Sequence, residues 1–214
     1  DEEGLSHVQT GFFRALVNIY GPFFARYANL DGFTYREPEV PLNERREIDR
    51  WILSELNSLI KRYREAMDTY DITHAAREVS DFTVDTLSNW YVRRNRPRFW
   101  SKWSAGERGN DKLAAYQTLY DCLITVAKLM APFAPFLADE LYRNLNSATD
   151  REPFESVHLS FIPEANEKVI NLDLERKMNL VRHVVSLTRA LRTEANVKVR
   201  QPLSRIMVAV SRED

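Results

Sequence analysis

Apolar side chains recur every three or four residues through six stretches of this chain. That spacing lines them along one face of an α-helix and cannot serve a strand, whose faces alternate every second residue. The clearest stretch runs from Asp111 to Met130, where Leu113, Tyr116, Tyr120, Leu123, Ala127 and Met130 form one seam. Asp111 stands where an N-cap is expected, and Pro132 lies just past the end. Residues 44–67 place Ile48, Ile52, Leu56, Leu59, Tyr63 and Met67 on a common face, and residues 174–191 do the same with Leu174, Met178, Val181, Val185 and Leu191. From Thr73 to Asn95, Ala75, Val79, Phe82 and Leu87 share a face, and this helix is expected to stop before Pro97, which cannot donate a backbone hydrogen bond. Phe133, Leu137, Leu141 and Leu145 mark a fifth helix that accepts Pro135 in its first turn. Residues 7–28 form a sixth, with a kink expected at Gly21 and Pro22.

Six amphipathic helices can bury their seams only against one another. Glycine and proline are few, 6 and 9 of 214 residues, so little interrupts the helical pattern. The expected fold class is all-α, an antiparallel helix bundle, with one short strand expected from Arg205 to Val210, where residues alternate. Residues 146–171 break the helical rhythm and predict a crossover that packs on the bundle.

The bulk numbers exclude several classes. At 44% hydrophobic residues the chain can bury a sizeable core, yet its longest apolar runs, such as IMVAV at 206–210, are far too short for a membrane span. The opening DEEGLSHVQT has neither the basic start nor the apolar stretch of a signal peptide. It lacks a methionine and enters an amphipathic pattern at once, as expected of a piece of a longer protein. The single cysteine, Cys122, excludes an internal disulfide and a multi-cysteine zinc site, consistent with a reducing, cytoplasmic setting. His7, His74, His158 and His183 are scattered, none with a metal-ligating partner four residues on, and there is no glycine-rich phosphate loop. Asp81 and Asp85 read as a solvated helix face, and Cys122, among Tyr120, Leu123 and Ile124, as a small buried hydrophobe. No catalytic residue and no metal site are expected.

What remains is charge. Between Thr86 and Gly106 the cations Arg93, Arg94, Arg96, Arg98 and Lys102 meet no Asp or Glu, giving +5; a formal total of -1 leaves -6 for the rest. Cations near a helix C-terminus gain roughly 0.3 to 1 kcal/mol each from the helix dipole, which accounts for one or two of them. Four arginines within six residues, set among Trp90, Phe99, Trp100 and Trp103, exceed that need. Guanidinium forks match phosphates and aromatic rings offer platforms for unpaired bases, so nucleic-acid contact is the expected role. A second basic segment, from Ser186 to Arg205, carries Arg189, Arg192, Lys198, Arg200 and Arg205 against Glu194 alone. The two segments are expected to form one surface. The competing reading is a helical scaffold whose basic end binds an acidic protein.

The stretch NWYVRRNRPRFW, residues 89–100, resembles the anticodon-binding helical domain of the isoleucyl-tRNA synthetases, particularly the branch that includes the eukaryotic cytosolic enzymes. GFFRALVNIYGPFFARYANLDGF resembles the segment after their catalytic core, DRWILSELNSLI the opening helix of the bundle, and LTRALRTEANVKVRQPL the start of the C-terminal extension. LMAPFAPFLADELY and ESVHLSFIP are similar to valyl and leucyl enzymes as well, so they mark the class I subgroup, and those enzymes are the alternative parents. The resemblance implies three parts: residues 1–40 as helix and connector following the core, 41–165 as the anticodon-binding bundle, and 166–214 as the last long helix and the start of the extension. It implies a parent ligase that uses ATP and Mg2+ to attach isoleucine to tRNA(Ile). The HIGH and KMSKS signatures do not occur in these residues, so no catalysis is expected of them. The expected RNA-binding residues are Trp90, Arg93, Arg94, Asn95, Arg96, Arg98, Phe99, Trp100, Lys102, Lys198 and Arg200, in a monomer that binds neither DNA nor membrane.

Overall fold

The stretch with the clearest apolar seam forms the longest helix, Glu107–Met130, and the rest of its unit is arranged around it. In the computed structural model residues 9–102 and 107–208 are described, with the backbone alone at Gln9 and at residues 107–109. Two compact units divide the chain, Asp1–Ile170 and Asn171–Asp214.

The first unit opens with a helical path in which π-helical stretches Gln9–Phe13 and Ile19–Ala25 alternate with α1 (Arg14–Asn18) and α2 (Arg26–Asp31). The interruption expected at Gly21 and Pro22 is therefore a local change of helix type. In a π-turn the donor comes five residues on, so a carbonyl that loses proline as its partner can be served by the next residue. Gly32 ends the path at φ 69, and Phe33 N–H donates back to Ala28 O at 2.9 Å. A left-handed residue at this position is where glycine costs least.

Four longer helical runs follow. These are α3 (Glu47–Asp68); then α4 (Ile72–Asp81), a π-helical stretch Phe82–Val92 and α5 (Arg93–Trp100) as one path; then α6 (Glu107–Met130) and α7 (Pro135–Thr149). Directions follow from the contacts. Arg46, at the entry to α3, bonds Asp111 near the start of α6, while Tyr63 meets Phe133 just past the end of α6 with ring centroids 6.3 Å apart. Those two helices thus run the same way. The path between them returns, because Tyr91 and Arg98 reach Asp49 at the beginning of α3. Within the first unit the runs α3, α4–α5 and α6 thus alternate in direction, as expected, and α7 turns back along α6, where the Tyr120 hydroxyl and Thr149 Oγ1 meet at 3.0 Å. Pro135 occupies the first turn of α7, where its missing N–H has no intrahelical partner to lose.

The expected seam of α6, Leu113 to Met130, is buried throughout, and burial extends beyond it: every residue from Lys112 to Tyr120 is buried, polar ones included. The segment before α3 covers its far side and satisfies those polar groups. Val40 N–H donates to Gln117 Oε1 at 2.9 Å, Gln117 Nε2 to Pro38 O at 3.1 Å, and Arg45 Nη1 to Thr118 Oγ1 at 3.0 Å. Two expectations are corrected. Pro97 does not stop its helix, which continues to Trp100. One lost backbone donor is outweighed by Arg98 and Phe99, buried and held just beyond it. Finally, Asp111 is not the N-cap of α6, which begins at Glu107, and its carboxylate serves Arg98 and Arg46 instead.

The crossover after α7 packs on the bundle as expected. Asp139 accepts from Ser156 Oγ at 2.6 Å and from Val157 N–H at 3.0 Å. Further on, Arg64 donates to the Pro163 carbonyl and Asn57 Oδ1 accepts from Asn166 N–H at 2.7 Å, so the strap ties α7 back to α3.

In the second unit α8 (Leu172–Glu194) is capped by Asn171, whose side chain accepts from Leu174 N–H. Its seam is not buried: Val181 and Leu191 are exposed, as are Leu187 and Leu203. Leu187, Leu191 and Leu203 border an open apolar groove of about 920 Å³ that also includes Ile206 and Met207. Arg205–Val208 form no strand, correcting that expectation for those residues; Ala209 and Val210 lie outside the described residues. Among the described residues no helix is long and apolar enough to cross a membrane.

Candidate nucleic-acid interface

The sequence RRNRPRFW of α5 folds as one short helix with two chemically distinct faces. Asn95, Arg98 and Phe99 are buried, whereas Arg93, Arg94, Arg96 and Trp100 are exposed. Arg98 and Phe99 follow Asn95 by three and four residues, so these three share one side of the helix and the exposed residues fall on the other.

The buried face is a hydrogen-bonded anchor. Arg98 forks onto Asp49 of α3, with Nη1 2.7 Å from Oδ1 and Nη2 2.8 Å from Oδ2. It also donates to Asn95 Oδ1 at 2.9 Å and to the Asp111 carbonyl at 2.7 Å, and pairs with the Asp111 carboxylate at 2.9 Å. Tyr91 adds its hydroxyl to Asp49 Oδ1 at 2.7 Å; burial, with the Asp49 charge beside it, pushes that hydroxyl well above its usual titration range. Asn95 Nδ2 returns to the Tyr91 carbonyl at 2.9 Å. Phe99 meets Phe23 and Tyr116 edge to face, with centroids 4.8 and 5.1 Å apart. The structure thus places Arg98, Asn95 and Phe99 of the expected contact set in the interior and not on the exposed face of α5.

The exposed face is different. Among the described residues Arg93, Arg94 and Arg96 form no ion pair. Lys102 is exposed too. Trp100 is 57% exposed, the posture of a ring that does not serve the core. Trp90 is 8% exposed, and the guanidinium carbon of Arg94 lies 3.9 Å from its ring centroid. Trp90 therefore underlies the face and is not itself presented. Trp103 lies outside the described residues. The result is a positive, donor-rich surface with one open indole, suited to a polyanion carrying flat rings.

Lys198 and Arg200 belong to the other unit and are exposed on the turn after α8. Arg192, also counted among that segment's cations, donates from Nη1 to the carbonyls of Lys198 and Gln201 at 2.9 and 3.0 Å. One of its donors is thus spent on shaping the turn that presents the other two. The two basic segments fall in different units.

Two residues that organise the interface, Asp49 and Asp111, went unmarked as partners in the sequence. Neither is near a cation of α5 along the chain: Asp49 is 49 positions from Arg98. The weak signal available was that Asp49 sits one turn from a wholly buried run of α3, beside Trp51 and Ile52, where a lone carboxylate needs a partner.

Comparison with known proteins places the chain among tRNA ligases. The profile of the anticodon-binding domain of tRNA ligases matches residues 49–208. The chain is 53% identical over 210 residues to an isoleucine–tRNA ligase of Bacteroides fragilis, covering 98% of this chain and 18% of that protein. Its identity to the isoleucine–tRNA ligase of Cytophaga hutchinsonii is 51% over 208 residues, 97% of this chain and 18% of that one. For the isoleucine–tRNA ligase of Dehalococcoides mccartyi the figures are 47% over 214 residues, 98% and 20%. The chain spans about a fifth of the length of these relatives.

Proposed function

Because the chain belongs to the anticodon-binding domain family of tRNA ligases, we propose that it grips the anticodon stem and loop of tRNA(Ile) within an isoleucine–tRNA ligase. The parent enzyme attaches isoleucine to that tRNA in the cytoplasm, using ATP and Mg2+ held by parts of the enzyme other than this one. Residues 1–40 serve as connector from the catalytic core, 41–165 as the binding bundle, and 166–214 as the start of the C-terminal extension. Arg93, Arg94, Arg96 and Lys102 hold phosphates, and Trp100 offers its exposed ring to an unpaired loop base. Lys198 and Arg200 add phosphate contacts from the second unit. The chain acts as a monomer toward a single tRNA.

One observation carries this reading: the short helix α5 turns three arginines outward, free of carboxylates among the described residues, while its fourth arginine is locked inside. A titration of the chain with tRNA(Ile) and with a non-cognate tRNA over a range of salt tests it. Binding whose logarithm falls linearly with the logarithm of salt, and which favours tRNA(Ile), is expected. Preference for an acidic protein that tRNA does not displace would overturn it.

A further inference from the structure

We propose that Trp90 positions Arg94 as the principal phosphate-binding fork of this face; the inference rests on the reading of α5 as the RNA-binding helix. Arg94 stands one helical turn beyond Trp90, with its guanidinium carbon 3.9 Å from the indole centroid. Trp90 is fixed in the interior at 8% exposure, whereas Arg94 is exposed. A guanidinium carries its N–H donors in its own plane and none on its faces. Stacking one face on the ring therefore leaves the donor edge available and limits the rotamers that the side chain must give up on binding. Among the described residues neither Arg93 nor Arg96 has such a ring beneath it, and each loses more freedom in order to reach the same phosphate.

A second observation shows that Trp90 is more than filler. Its Nε1–H is buried and has no hydrogen-bond partner among the described residues. A buried, unsatisfied donor is unfavourable, and leucine or phenylalanine would occupy the site without one. What tryptophan adds is the largest electron-rich face available to a cation, and that face lies under Arg94.

The test is a double-mutant cycle on the 214-residue chain with tRNA(Ile) transcript as the probe, alongside melting temperature and salt slope. Arg94→Ala should lower affinity and reduce the log-log salt slope by about one. Arg94→Lys keeps the charge but not the planar fork, so it should keep the slope and lose most of the affinity that alanine loses. Trp90→Leu should weaken binding about three- to tenfold with the slope unchanged, and should have no further effect when Arg94 is already alanine. Trp90→Phe removes the unsatisfied donor and keeps a ring, so its loss should be smaller. If Trp90→Leu does not fold, the cycle of Trp90→Phe with Arg94→Lys carries the same comparison. Equal effects of the Trp90 change with and without Arg94 would make Trp90 purely structural and overturn the inference, as would Arg93→Ala or Arg96→Ala proving more damaging than Arg94→Ala. Unchanged affinity in the triple alanine variant of Arg93, Arg94 and Arg96 would instead overturn the assignment of the helix as the interface.

Discussion

Arg98 and Asp49 meet as a planar fork inside the protein, two parallel bonds of 2.7 and 2.8 Å between groups almost wholly withdrawn from water. Removing one member leaves the other charged and enclosed, which typically costs 3–5 kcal/mol. Arg98→Ala should therefore lower the unfolding free energy by about that amount, read from urea denaturation. In whatever fraction stays folded, the salt slope of tRNA binding should match the wild type. A normal stability with a reduced slope would return Arg98 to the RNA surface.

The exposed arginines should show the opposite profile. Arg93→Ala and Arg96→Ala change no described contact, so each should shift stability by less than about 0.5 kcal/mol. Each should also lower the log-log salt slope by about one unit if it neutralises one phosphate. Salt-dependent fluorescence anisotropy with labelled tRNA measures both slopes.

Trp100 separates stacking from charge. At 57% exposure it contributes little to the core, so Trp100→Ala should melt within a few degrees of the wild type. Loss of one base-stacking platform should weaken tRNA binding by about 1 to 3 kcal/mol with the salt slope retained. A large fall in melting temperature would mean that the ring supports the fold.

Gly32 tests a purely conformational requirement. It terminates α2 at φ 69, and a methyl group built there would meet no atom within 4 Å. Gly32→Ala should cost about 1 kcal/mol from backbone strain alone, and Gly32→Asn less, since asparagine tolerates the left-handed region. Equal stability of the alanine variant would show that the turn rearranges.

Asp121 gives a pH signature. Burial raises its carboxyl to about 6, against the opposing pull of Arg45 and the Tyr35 hydroxyl bond. An unfolded aspartate titrates near ~3.9, so between these values the folded chain holds the extra proton. Stability due to this group is therefore greatest below about pH 4 and declines as pH rises through 6. Asp121→Asn keeps an acceptor for Tyr35 and abolishes that titration. The difference in melting temperature, wild type minus variant, should fall from pH 4 to 6.5 and then level off; a flat difference would sink the assignment.

The seams of α3, α6 and α7 were legible because Ile52, Leu56, Leu123 and Leu141 repeat at helical spacing and all prove buried. Periodicity shows which residues share a face, not how many faces are covered, so the burial of Gln117 and Thr118 on the far side of α6 was invisible. The same limit explains the arginine cluster. Its composition announced a polyanion surface, but four cations on one short helix look alike in sequence. Arg98 is distinguished only by Asp49 and Asp111, brought to it from two other helices. Pro97 misled because local rules count the missing donor and not the packing of Phe99 beyond it. In the second unit the apolar repeat of α8 forms the expected helix, but within that unit its seam residues Val181 and Leu191 are exposed.

α6 is wrapped by segments made before it and by α7, made after it. Phe24 and Phe33 both rest on Tyr116, and Phe23 and Tyr116 both rest on Phe99. A ribosome releases these early rings before it has supplied the helix that shields them. For that interval the nascent chain carries a cluster of uncovered aromatics, prone to self-association and to capture by chaperones. The first unit thus assembles late in its own synthesis, and a chain ended before Met130 is expected to aggregate even though it contains every residue proposed to touch RNA in that unit.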